Sequence, residues 1–162
     1  MYRLRTKGGK RDLEKNWALP DKVFFACGAC HILAYAFLTT YSNRGFTAIW
    51  IRPRQGFTGN HIVAVSGSVA FDYHGYSDWV VLRMHLKKRA NQWWPGWDGD
   101  LIELPQDVLI SEAKSRAYEG LWLREPAQFR FDALARARAY LGRFPAPPKT
   151  AECVAHVCHM PT

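Results

Sequence analysis

At 162 residues, with 48% hydrophobic and 14% aromatic side chains, the chain can bury one substantial core. That excludes a disordered polymer and leaves no room for two full-sized domains. The formal net charge of +8 favours acidic partners, whether nucleic acid, anionic lipid or acidic protein, and says nothing about chemistry.

The opening segment MYRLRTKGGKRDLEKNW is basic and lacks the apolar stretch of a cleaved signal peptide. Residues 1–20 read as a basic, loosely held arm, 21–144 as a single catalytic-type domain and 145–162 as a Pro-rich flexible tail. The longest apolar run, Val23 to Leu38, is interrupted by His31 and falls short of the ~20 residues a spanning helix needs. The expectation is a cytoplasmic protein with reduced cysteines and no membrane partner, or one exported without a cleaved signal.

Val23-Phe24-Phe25 reads as a short buried strand or an extended lead-in. From Gly28 to about Tyr41 the residues are apolar on every side, which predicts a helix covered all round in the middle of the fold. Gly45 suits the left-handed position after it. Phe46 to Arg52 has strand composition and stops at Pro53. A hairpin follows in NHIVAVSGSVAFDY, with Ser66-Gly67 as a two-residue turn. That turn sets His61 directly opposite Asp72, where paired Cβ atoms lie ~5 Å apart on one face.

Ser77 is expected to cap a helix from about Asp78 to Asn91, with an apolar stripe of Val80 or Val81, Leu82 and Met84. Leu101 to Leu104 reads as a short strand. Pro105 to about Glu119 and Phe131 to about Leu141 read as amphipathic helices ended by Gly120 and Gly142. The whole is an α+β fold: a central buried helix against a small antiparallel sheet, closed by C-terminal helices.

Three residues in this frame have the chemistry of nucleophilic catalysis. A thiolate at Cys30 would be stabilised by the unpaired N–H groups and positive dipole end of the helix it begins. The same N–H groups can hold an oxyanion. His61 within reach can take the thiol proton and later protonate a leaving amine. Asp72 on the far ring nitrogen would fix its tautomer. Against this stands a reading in which Cys30 is a small buried hydrophobe, His61 a loop-end polar residue and Asp72 a surface charge.

The run Cys27-Gly28-Ala29-Cys30-His31, with Ala34, Ala36 and Phe37 behind it, resembles the nucleophile segment of papain-type cysteine proteases. The order of Cys-helix, strand, His-strand and Asp-strand is more similar to the transglutaminase-like branch of that superfamily. The resemblance covers about Val23 to Tyr76. It implies acyl transfer at amides, by a peptidase, amidase, deamidase or cross-linking enzyme acting on a protein or peptide, with no metal or organic cofactor. The sequence departs from it twice: His31 stands where an aromatic residue is expected, and Phe24 where an oxyanion-hole Gln is expected, with Gln55 or Asn60 as substitutes.

Other readings compete. Cys27-x-x-Cys30 before a helix resembles a thiol–disulfide oxidoreductase site, although Pro53 arrives too soon for that fold. Cys-x-x-Cys-His also matches haem attachment, with Met84 or Met160 as axial ligand. Cys153, His156, Cys158 and His159 are metal-ligand types in no trusted zinc spacing. His74, two residues past Asp72, is a substitute base. Trp93, Trp94 and Trp97 line a groove or complete a core. Lys87-Lys88-Arg89 and Arg130, Arg136, Arg138 and Arg143 come with no nucleic-acid motif and read as a solvated basic face. A catalytically dead basic binding module of the same fold is the remaining alternative.

Overall fold

A computed structural model describes residues 12–148. Its centre is α3 (Cys30–Thr40), whose residues His31 to Ala34 and Ala36 to Leu38 are all buried. Apolar side chains around the whole helix have partners because the sheet lies on one side and α6 (Ala133–Leu141) on another. Phe37 anchors this layer, stacked on Phe71 at 4.4 Å and edge-on to Phe46 at 4.9 Å.

Before it come α1 (Leu13–Trp17) and α2 (Asp21–Ala26). Val23 to Phe25 are therefore helical, where a strand or extended lead-in was expected. Pro20 and Asp21 explain this: Pro starts the turn and Asp21 suits its positive end. The described part of the expected arm is packed, since Asn16 is buried and Trp17 lies edge-on to Phe24 at 5.5 Å. Arg136 ties it down by donating to the Trp17 and Leu19 carbonyls at 2.7 and 2.6 Å.

The sheet is antiparallel, with strands β1 (Thr47–Pro53), β2 (His61–Ser66), β3 (Val69–Asp72), β4 (Gly75–Asp78) and β5 (Gly99–Leu104) in the order β4-β3-β2-β1-β5. Central β2 is buried at every position, because helices cover both faces. Ala48, Trp50, Ile62, Ala64 and Phe71 face the α3 layer. Ile51, Val63, Val65 and Ala70 face α4 (Trp79–Asn91), which carries the chain from the β4 edge towards β5.

The hairpin differs from its expected register. Ser66 pairs with Val69, Val65 with Ala70 and Ala64 with Phe71, so the turn is Gly67-Ser68, with Gly67 at φ 55°. The left-handed backbone at the first turn position selects glycine there, one residue later than the turn read from the sequence. Extending the ladder sets Asp72 opposite Val63, so His61 and Asp72 are diagonal rather than directly opposed. Because the register differs by an even step, both stay on the same face.

Three further expectations change. The buried stripe of α4 is Leu82, Leu86 and Ala90, while Val80, Val81 and Met84 are exposed. The cap of α4 is Asp78, whose Oδ1 accepts from the Val81 N–H at 2.9 Å, because Tyr76 and Ser77 belong to β4. The expected helix from Pro105 to Glu119 is a 3-10 turn, Gln106–Ile110, followed by one turn of α5 (Glu112–Ser115). Extended Ser111 interrupts it and caps the second piece through its side chain.

Candidate active site

Gly28 has φ +127° and open space where a Cβ would stand, so the backbone angle rather than crowding selects glycine between α2 and α3. The chain then enters α3, whose first intrahelical donors, the Ile32 and Leu33 N–H groups, bond the Ala29 carbonyl at 3.1 and 3.2 Å. The N–H groups of Cys30 and His31 precede them at the positive end of the helix. Cys30 is half-buried there, while Cys27 is 2% exposed and no disulfide joins them.

His61 opens β2 and Asp72 closes β3, and both are buried. The His61 Nε2 donates to Asp72 Oδ2 at 2.9 Å. A carboxylate partner fixes the proton on Nε2, which turns Nδ1 towards another acceptor or donor. Cys30 lies close enough to the His61 ring for each to favour the other's charged form. The His61–Asp72 pair is thus hydrogen-bonded, and Cys30, at the N-terminus of α3, interacts electrostatically with His61.

The charges of this chain are mutually supporting. Burial pushes the Cys30 thiol up, but hydrogen bonds and charges of His31 and His61 outweigh it and bring the thiol down to about 5. Burial likewise opposes charge on His61, yet its bonds to Asp72 and Cys30 raise it to about 9. Burial disfavours the Asp72 carboxylate too, and hydrogen bonds from His61 and His74 hold it well below the usual carboxylate range. The arrangement favours a thiolate–imidazolium pair backed by a carboxylate.

Two histidines have places that sequence reasoning did not give them. His31 is buried, with Nε2 donating to the Arg124 carbonyl at 3.0 Å and its ring tilted on Phe129. Its ring also favours the Cys30 thiolate. Its position directly after Cys30 was the available signal. His74 lies on the other oxygen of the same carboxylate: its backbone N–H and Nδ1 lie on Asp72 Oδ1, at 2.8 and 3.3 Å. It steadies the oxygen of Asp72 that His61 does not use. The Tyr73 carbonyl in the same turn accepts from the buried Tyr140 hydroxyl at 2.7 Å, which anchors the turn to α6.

Of the residues considered for the oxyanion hole, Asn60 accepts at Oδ1 from Trp50 Nε1 at 2.9 Å, and Gln55 is exposed in the loop before β2. Trp97 is buried and donates to the Thr58 carbonyl, while Trp93 is 45% exposed. Among the described residues no group of three or more His, Cys, Asp or Glu side chains could hold a metal ion. Cys153, His156, Cys158, His159 and Met160 lie outside the described residues. No described helix is long and apolar enough to cross a membrane. No known protein family, curated protein or solved structure matches this chain.

Proposed function

We propose that this protein is a cysteine-dependent acyl-transfer enzyme acting on an amide, built on a papain/transglutaminase-like plan. The observation that carries the reading is the buried 2.9 Å hydrogen bond from His61 to Asp72, with Cys30 at the start of a helix and its thiolate favoured by His61. In this mechanism the Cys30 thiolate attacks the amide carbonyl carbon, and the N–H groups of Cys30 and His31 receive the oxyanion. The His61 imidazolium then protonates the leaving nitrogen, the C–N bond breaks and a thioester remains. Water or an amine, deprotonated by His61, attacks the thioester and releases the thiolate. Asp72 keeps the His61 proton on Nε2 and stabilises its charge. The substrate is a protein or peptide, and the surplus of cations suits an acidic one.

A disulfide-exchange role for Cys27 and Cys30 would need a partner to reach Cys27, which is 2% exposed. The two readings separate in one experiment. Iodoacetamide alkylation is followed against pH, with the modified cysteine located by mass spectrometry. Acyl transfer expects fast reaction at Cys30 with a midpoint near 5, shifted upward in His61→Ala, and no dependence on Cys27. An ordinary Cys30 thiol, titrating at ~8.5, overturns the assignment.

A further inference from the structure

α4 leaves an apolar and cationic face open. Val80 and Met84 are 58% and 67% exposed, and Leu101 of β5 is 42% exposed. Together with Ile51 and Trp97 they line a groove of about 180 Å³ between α4 and the β5 edge, rimmed by Arg83 and Lys87. Exposed apolar side chains clustered around a concavity mark an interaction site, unlike the same residues scattered singly.

The groove lies on the α4 side of the sheet, where Ile51 and Leu101 pair across β1 and β5. Cys30 packs with the α3 layer on the other side, so the groove is a docking surface apart from the reacting atoms.

Size and charge choose the occupant. The volume is below the ~300 Å³ at which sites for free small molecules begin, and suits one or two inserted side chains. Its concave form favours a protein anchor over a flat lipid surface. α4 has Arg83, Lys87, Lys88 and Arg89 and no acidic residue. The nearest carboxylate, Asp98, is already engaged by Lys87 at 2.9 Å and Arg54 at 3.2 Å. Glu103 is the acidic side chain further along the same strand face.

We propose that this groove is an exosite that takes an apolar side chain from an acidic stretch of the protein on which Cys30 acts. The words "on which Cys30 acts" rest on the acyl-transfer reading; the docking itself does not. The test uses the full chain carrying Cys30→Ala, so that binding is measured without turnover. Fluorescein-labelled peptides with one Leu, Ile, Phe or Trp between runs of Asp and Glu are titrated by anisotropy, with methyl NMR of Met84 and Leu101 as the local readout. At least one peptide is expected to bind saturably and shift both methyl groups. Affinity should fall by about tenfold or more in Met84→Glu and in Leu101→Glu, a loss expected when an anchor pocket is removed. Arg83→Glu, an exposed charge change, should weaken the acidic peptides and not the same apolar residue between glycines.

Binding that is equal for a peptide with Ala at the centre, unmoved by Met84→Glu, or absent across the set overturns the exosite. So does groove-dependent association with phosphatidylserine vesicles in place of the peptides. If peptides bind as expected while wild-type protein shows no low-pH Cys30 reactivity, the docking surface stands and the acyl-transfer reading falls.

Discussion

Cys30 and His61 depend on each other for their charge, and Asp72 sets the order. Removing the negative charge while keeping the shape separates that role from packing. Asp72→Asn should leave the fold intact but offer Nε2 of His61 an amide that can donate as well as accept, allowing the wrong tautomer. His61 then loses its main support against burial, and the Cys30 thiol rises from about 5. Amide turnover should drop by about 10³–10⁴, with the alkylation midpoint of Cys30 displaced upward in parallel. A fall in turnover without displacement of that midpoint would mean that Asp72 acts on substrate rather than through His61.

At the scale of elements, the site depends on how α2 hands the chain to α3. The turn at Gly28 sits at φ +127°, a region that other residues enter only with strain. Nothing lies within 4 Å of a Cβ placed there, so Gly28→Ala isolates the backbone cost from any steric clash. Urea unfolding of Gly28→Ala should show a loss of about 1–3 kcal/mol. Unchanged stability would mean that the loop relaxes without its left-handed turn. The strand elements were legible because β1 and β2 have dense β-branched and aromatic composition. β4 was not: Gly75 to Asp78 lacks that composition and is a strand because it pairs with β3.

For the whole molecule, the ionised pair predicts an unusual pH dependence of stability. His61 has a raised value, so its contribution is present below its unfolded value of 6.5 and is lost as pH rises through about 9. Cys30 has a lowered value, so its contribution is present above its unfolded value of 9.0 and is lost as pH falls through about 5. Between the two unfolded values the folded pair and the unfolded pair each hold one proton, and the two slopes cancel. Asp72, held low, is ionised in both states there and adds nothing. Wild-type stability from these groups should be flat from pH 6.5 to 9, measured by urea unfolding. In Cys30→Ala His61 loses the thiolate that helps raise it and keeps only Asp72, so its titration, followed by ring-proton NMR, should move down from about 9. A His61 titration unmoved by Cys30→Ala would show that Cys30 and His61 are not an ion pair.

What the sequence determined by itself was the material that local chemistry can specify. The all-round apolar run from His31 to Leu38 could only be a buried helix, and the strand-rich segments after it could only be a sheet against that helix. The His61–Asp72 contact was legible because strand parity survives an even change of register. The register itself was not, since Ser66-Gly67 and Gly67-Ser68 are both acceptable turns until long-range pairing chooses between them. The face of α4 was equally undecided. Val80, Met84 and Lys87 make one stripe and Leu82, Leu86 and Ala90 another, and the fit of the second against Val63 and Val65 determines which is buried. His31 and His74 found their roles only when the Arg124 carbonyl and the second oxygen of Asp72 came within hydrogen-bond distance. Those partners lie 93 and 2 residues away, and neither separation reveals where a ring will point before the chain has folded.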